Sequence, residues 1–221
     1  MLNDIINGGI SPLELLLWAI AAICTLSVHE LCHGLAAYKL GDPTAKQMGR
    51  LTLNPIRHID PMGFIMVIVA GFGWAKPVPV DMRYFKNQKR GMALCAAAGP
   101  TSNFVLAFLC MIIYSSVFLM TKGQYPDWLD TFMQNIIILN IYLGIFNLLP
   151  VPPLDGSKIL GAFLPDRAYY KLMRYERYGM IAVVALIMVL RQFDRNPIDY
   201  LIWQVVGGMN EAAYFLTKWL Q

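Results

Sequence analysis

Apolar residues run almost unbroken over residues 13–38, 92–120, 131–150 and 178–192, and charges or turn residues bound each run. A bilayer core of about 30 Å is crossed by a helix of about 20 such residues, so these runs mark the candidate spans. Two further segments carry a weaker pattern. Residues 62–75 are short and rich in glycine, which suits a re-entrant or interfacial element. Residues 198–220 are interrupted by Asp199, Gln204, Asn210 and Glu211, which predicts an amphipathic helix lying on the membrane or packed against the bundle. The pattern predicts an all-α polytopic membrane protein. Four or five full crossings plus one partial insertion fit, about five to six membrane segments in all.

Composition sharpens this. The chain is 57% hydrophobic and 14% charged, against about 25% charged in ordinary soluble domains. With 221 residues and no long polar segment, residues 1–221 are expected to form a single membrane-embedded domain without an appended soluble module. No basic stretch precedes the first apolar run, so the N-terminal run is read as a retained span and not a cleaved signal. Basic residues set the orientation: none precedes Lys39, and they then gather at Lys46, Arg50 and Arg57, at Arg83, Lys86, Lys89 and Arg90, and at Arg167, Lys171, Arg174 and Arg177. The positive-inside rule puts these stretches in the cytoplasm, and residues 121–130 and the N-terminus outside. The net charge of +4 is accounted for by that bias and calls for no nucleic acid.

Within the first run stand His29, Glu30 and His33, spelling HELCH. On a helix, residues four apart share a face, so two imidazoles occupy adjacent corners of a zinc site and the intervening Glu reaches a water there. A five-residue pattern with two free positions also arises by chance. Ionisable groups inside a span are costly, however, at roughly 2.5–3.5 kcal/mol for a charge at a helix centre on insertion scales, and they usually mark function. His29 lies ten residues before Lys39, about 15 Å below the cytoplasmic boundary.

A catalytic zinc takes three protein ligands and keeps one position open. Asp155 ends an apolar, proline-broken run, Leu148 to Leu154, where a carboxylate is expensive without a cation; it is equally well placed to cap the helix that follows. His58 as a fourth ligand would close the site, so it is read as a loop or water hydrogen-bonding group. Cys24, Cys32, Cys95 and Cys110 show no C-x-x-C pairing and are expected to be packing residues. Residues 50–53 and 76–81 alternate and are rich in Val, Leu and Pro, which suggests a short β-hairpin whose edge accepts an extended substrate.

HELCH in an apolar helix, GPTSN at 99–103 and NLLPVPPLDG at 147–156 together resemble the site-2 protease family of intramembrane zinc metalloproteases. NPIRHIDPMG at 54–63 and GWAKPVPV at 73–80 are similar to its bacterial and archaeal branch. The resemblance covers residues 12–165 and implies His29, His33 and Asp155 as ligands of one Zn2+ per chain, with Glu30 as catalytic base. It also implies Asn103, near the reaction centre, and Asn147, which opens the segment that delivers Asp155, as oxyanion or substrate-binding residues, although a hydrogen bond between helices near Gly99 and Pro100 suits the Asn103 amide nearly as well. Better-known members carry PDZ-like or CBS-like insertions, which are lacking here. The expected partners are a transmembrane protein substrate and the lipid bilayer. The expected setting is the cell membrane, multi-pass, with the active site toward the cytoplasm. A zinc transporter and a proteolytically inactive scaffold are the rival readings: the first wants a relay of ligands across the bilayer, the second no catalytic set.

Overall fold

The computed structural model of the chain describes residues 9, 11–63, 75–190 and 197–220. Helix α1, Pro12–Lys39, starts at a capping box in which Ser11 Oγ accepts from Glu14 N–H and Glu14 Oε2 accepts from Ser11 N–H. Glu14 thus breaks the apolar pattern for a local reason: two of the amides that a helix start leaves unpaired are satisfied there. The helix stops at Leu40, and Gly41 follows with φ +106°, a conformation that glycine adopts at little cost. Helix α2, Gln88–Thr121, is capped by Asn87 Oδ1 on Arg90 N–H. Lys122 and Gly123, both at positive φ, then turn the chain into α3, Asp127–Asn147.

These three helices are long and apolar enough to cross a membrane, and they pack pairwise into one bundle. Ala21, Ala107, Met111, Ile136, Ile137, Ile141 and Ile145 fill its core. The opposite faces stay apolar. Val105, Leu109 and Ile113, spaced one helical turn apart on α2, are each more than half exposed, as lipid-facing positions would be.

After α3 the chain runs through Pro150, Pro152 and Pro153 into α4, Asp155–Gly161, which packs on α2. Helix α5, Asp166–Tyr175, follows, then α6, Gly179–Leu190. With twelve residues α6 is about 18 Å long, short of a crossing by itself, so the expected span at 178–192 is only partly matched among the described residues. Helix α7, Pro197–Thr217, takes the second of the two alternatives the pattern offered: it packs against α2 and α3, giving Ile198, Ile202 and Ala213 to their core.

Among the described residues there is no strand; an isolated antiparallel bridge joins Ile59 to Ala75. The hairpin expected of residues 50–53 and 76–81 is therefore not formed between those two segments. Prolines explain it, since Pro77 and Pro79 have no N–H to give a ladder. Three of the four donors that remain are taken elsewhere: Lys76 N–H by His58 O at 2.8 Å, Val78 N–H by Glu30 at 2.8 Å and Asp81 N–H by Asp42 at 2.7 Å. Most of the expected re-entrant element at 62–75, with Gly71, Gly73 and Trp74, lies outside the described residues.

Candidate metal centre

His29 and His33 sit one turn apart on the face of α1 turned to α2, and each ring is anchored through Nδ1. His29 Nδ1 lies 2.6 Å from Asn103 Oδ1, and His33 Nδ1 lies 2.8 Å from Cys95 O. Both partners only accept, so both Nδ1 atoms carry a proton, and a neutral ring so held offers Nε2 as its bare nitrogen. Those Nε2 atoms are 2.9 Å apart. Asp155 Oδ2 completes the triangle, 3.3 Å from His29 Nε2 and 3.1 Å from His33 Nε2. It is buried and makes no hydrogen bond.

With both rings neutral, three electron pairs converge here in a protein interior without a proton donor between them. Such an arrangement repels itself unless a cation occupies its centre. The edges of the triangle, 2.9, 3.1 and 3.3 Å, are close to the roughly 3.3 Å edge of a tetrahedron with bonds of about 2.0–2.1 Å. Among the described residues this is the one cluster of three His, Cys, Asp or Glu groups with metal-binding spacing.

The local sequence makes room for it. An added Cβ on Gly99 would fall 2.4 Å from His33 Nε2 and 2.6 Å from His29 Cε1, so the absent side chain of α2 is the space the two rings occupy. Gly156 serves the other wall. A Cβ there would meet Leu148 O at 2.1 Å and Leu149 O at 2.5 Å, so hydrogen alone lets the loop fold back on the end of α3 and swing Asp155 inward. Leu154 stands at the cap position of α4 and makes no side-chain cap bond, and Asp155 follows it in the first turn.

Glu30 is buried beside this cluster, and its Oε2 accepts the Val78 N–H. The segment from Lys76 to Asp81 that brings this amide is held at both ends. Arg50 Nη2 donates to Lys76 O at 2.6 Å, and fully buried Asp42 accepts from Asp81 N–H through Oδ2 and from Thr44 through Oδ1.

The other expected residues fall differently. Asn103 is fully buried with both amide atoms committed, Oδ1 to His29 and Nδ2 to Asn140 Oδ1 at 2.8 Å. Its Nδ2 carries two N–H bonds and gives one of them to Asn140, so the oxyanion role expected of it is neither met nor removed by these contacts. Asn147, at the last turn of α3, places its amide on Leu143 O and no hydrogen bond joins it to the cluster. His58 donates from Nε2 to Thr52 O at 2.7 Å and stands apart, as a loop-tying residue. The four cysteines are free; Cys95 and Cys110 are buried, whereas Cys24 is exposed on α1. Gly99, Asn140, Thr25 and Val78 were not read as site residues from sequence. Gly99 and Val78 lie inside the GPTSN and GWAKPVPV stretches, and the signal for the other two was a polar residue inside an apolar run, at Thr25 four before His29 and at Asn140 mid-way through α3.

Comparison with known proteins points to zinc. A family model described as Peptidase family M50 matches residues 113–190. "Putative zinc metalloprotease YwhC" of Bacillus subtilis strain 168 is 40% identical over 206 residues, 91% of each chain. Rip2 of Mycolicibacterium smegmatis, of like name, is 28% identical over 75% of this chain and 64% of its own length. "Zinc metalloprotease MJ0392" of Methanocaldococcus jannaschii is 27% identical over 78% of this chain and 42% of its own. No solved structure matches the chain.

Proposed function

The chain belongs to peptidase family M50, the site-2 protease family of zinc metalloproteases, and from that premise we propose that it hydrolyses a peptide bond within or near a transmembrane segment of another membrane protein. The observation that carries this reading is the convergence of His29 Nε2, His33 Nε2 and Asp155 Oδ2 inside a bundle of membrane-length helices. His29, His33 and Asp155 would hold one zinc ion per chain, with a fourth position open to water or substrate. When bound, the ion supplies Lewis acidity, bringing the pKa of water down to about 7 and polarising a carbonyl.

The protein's own part is proton handling and orientation. Glu30, beside the ligands without being one of them, takes the proton of the attacking water and returns it to the leaving amine. Val78 N–H fixes Oε2 of that carboxylate, which leaves Oε1 for the proton. Asn103 and the Cys95 carbonyl keep both rings with Nε2 inward. The reading retains the cell membrane with a cytoplasm-facing site, about five to six membrane segments with residues 62–75 re-entrant, and one domain over residues 1–221.

The test is cleavage by the reconstituted protein of a helical membrane peptide, with and without a helix-weakening Gly or Pro near the cut. Glu30→Gln keeps both imidazoles, so it should retain zinc and fold while cleavage falls by orders of magnitude. A transporter would lose little by that change, and a scaffold would show no cleavage to lose. Equal activity of wild type and Glu30→Gln, or cleavage indifferent to chelation, overturns the proposal.

A further inference from the structure

A buried amide chain leads away from His29 into the bundle. Asn103 Oδ1 meets His29 Nδ1, Asn103 Nδ2 donates to Asn140 Oδ1 at 2.8 Å, and Asn140 Nδ2 donates to Thr25 Oγ1 at 2.8 Å and to Ile136 O at 2.7 Å. Three helices contribute: Thr25 and His29 from α1, Asn103 from α2, Asn140 from α3. Asn103 and Asn140 are 0% exposed and Thr25 is 2% exposed, so no water is at hand to replace a lost partner. Four buried polar side chains between membrane-length helices are costly to keep. Glu30, the proton-handling residue proposed above, is not among them.

The chain has a direction, and one atom sets it. Each asparagine could in principle be turned over, exchanging its oxygen and nitrogen. Ile136 O is a carbonyl and can only accept, so Asn140 must face it with its NH2. Asn140 then has only its oxygen for Asn103, and Asn103 must answer with NH2. That leaves Asn103 only its oxygen for His29, whose Nδ1 must carry the proton. In the neutral ring Nε2 is then the bare nitrogen, and bare Nε2 is what the triangle with His33 and Asp155 requires.

We infer that Asn140 is a positioning residue for the metal centre: from the middle of α3, through Asn103, it fixes the ring orientation and tautomer in which His29 presents Nε2. The inference rests on the reading that His29 ligates zinc. Without Asn140, Asn103 is free to turn its NH2 toward His29, which favours protonated Nε2 and blocks ligation. Partners of this kind, bonded behind the ligands, are worth 10–100-fold in metal affinity.

The experiment is a double-mutant cycle on zinc affinity, by chelator competition on the purified full-length protein, with thermal unfolding followed alongside. Asn140→Leu is expected to weaken zinc binding by about 10–100-fold, and Asn103→Leu by a similar factor. The double variant should bind no more weakly than the weaker single one, because Asn140 acts only through Asn103. Zinc affinity unchanged in Asn140→Leu, or losses that multiply in the double variant, overturns the inference even where unfolding shifts. Should Asn140→Leu fail to accumulate, Asn140→Ser stands in: its hydroxyl still reaches Ile136 O but not Asn103, and the same loss is expected. His29→Ala separates the two readings. If it keeps full zinc, the ligand assignment fails; if it loses zinc while the Asn140 variants keep it, only the present inference fails.

Discussion

Gly99 of α2 and His33 of α1 approach so closely that a β-carbon on the glycine would lie 2.4 Å from His33 Nε2. The atom it would strike is one of the three that form the candidate centre. Neither the ring nor the helix has an easy escape, because His33 Nδ1 is tied to Cys95 O on the same helix α2.

Gly99→Ala should therefore act on metal binding more than on folding. Alanine is a better helix former than glycine by roughly 1 kcal/mol, which offsets part of the steric cost in the empty protein. Zinc content after purification should fall well below one per chain, while circular dichroism stays helical. Full zinc in Gly99→Ala would mean that the rings do not occupy this space when loaded.

The third donor is tested by contrast with the third histidine. Asp155→Asn keeps the shape of the side chain and removes its charge; zinc affinity should drop at least tenfold, with His29→Ala and His33→Ala at least as severe. His58→Ala should keep its zinc. It should instead lose stability, by about 0.5–1.5 kcal/mol, because the buried ring's hydrogen bond to Thr52 O is gone. Undiminished zinc in Asp155→Asn would remove it from the ligand set.

Asp42 lies far from the cluster in function but not in connection. It is fully buried and holds Asp81 N–H and Thr44, and so anchors one end of the segment whose Val78 N–H rests on Glu30. Asp42→Ala strands those donors, at about 3 kcal/mol of stability. In protein that remains folded, kcat should fall more than zinc content does. A variant with wild-type kcat would show that the Val78 contact is dispensable for proton handling.

How much of this was legible in the sequence depended on the range of the information. The helical pairing of His29 and His33 is a matter of four-residue spacing and needed no partner. Asp155 was legible as a candidate because a lone carboxylate after Pro150, Pro152 and Pro153 is expensive, but its place beside the two imidazoles depends on the close approach of Gly156 to Leu148 O, which the sequence does not display. Asn103 was legible as a site residue and not as to its role, since that turns on which way an amide faces, and Ile136 O, 33 residues on, decides it. The hairpin misread a real alternation: the apolar pattern at 76–81 was right, yet Pro77 and Pro79 had already removed the donors a ladder needs. The boundaries of α3 were set by Pro126 and by Leu148, inside the apolar run of 131–150, because hydropathy continues past the point where the backbone turns toward Asp155.

Orientation is the remaining question that the side chains decide collectively. The basic residues cluster at the ends of α1 and α2 that carry Lys39 and Lys89, and in α5, whereas the turn between α2 and α3 holds Lys122 against Asp127 and Asp130. With α2 and α3 antiparallel through the turn at Lys122 and Gly123, those two groups lie at opposite ends of the bundle. The positive-inside rule then puts Asn87, at the start of α2, in the cytoplasm and Asp127 outside. In a background without the four native cysteines, a cysteine at Asp127 should label in intact cells with an impermeant thiol reagent, and one at Asn87 only after permeabilisation. His33 is six residues from Lys39, about 9 Å along the helix, so this outcome also fixes the side from which water and substrate reach Glu30. The reverse labelling would turn the whole bundle over and open the centre to the outside.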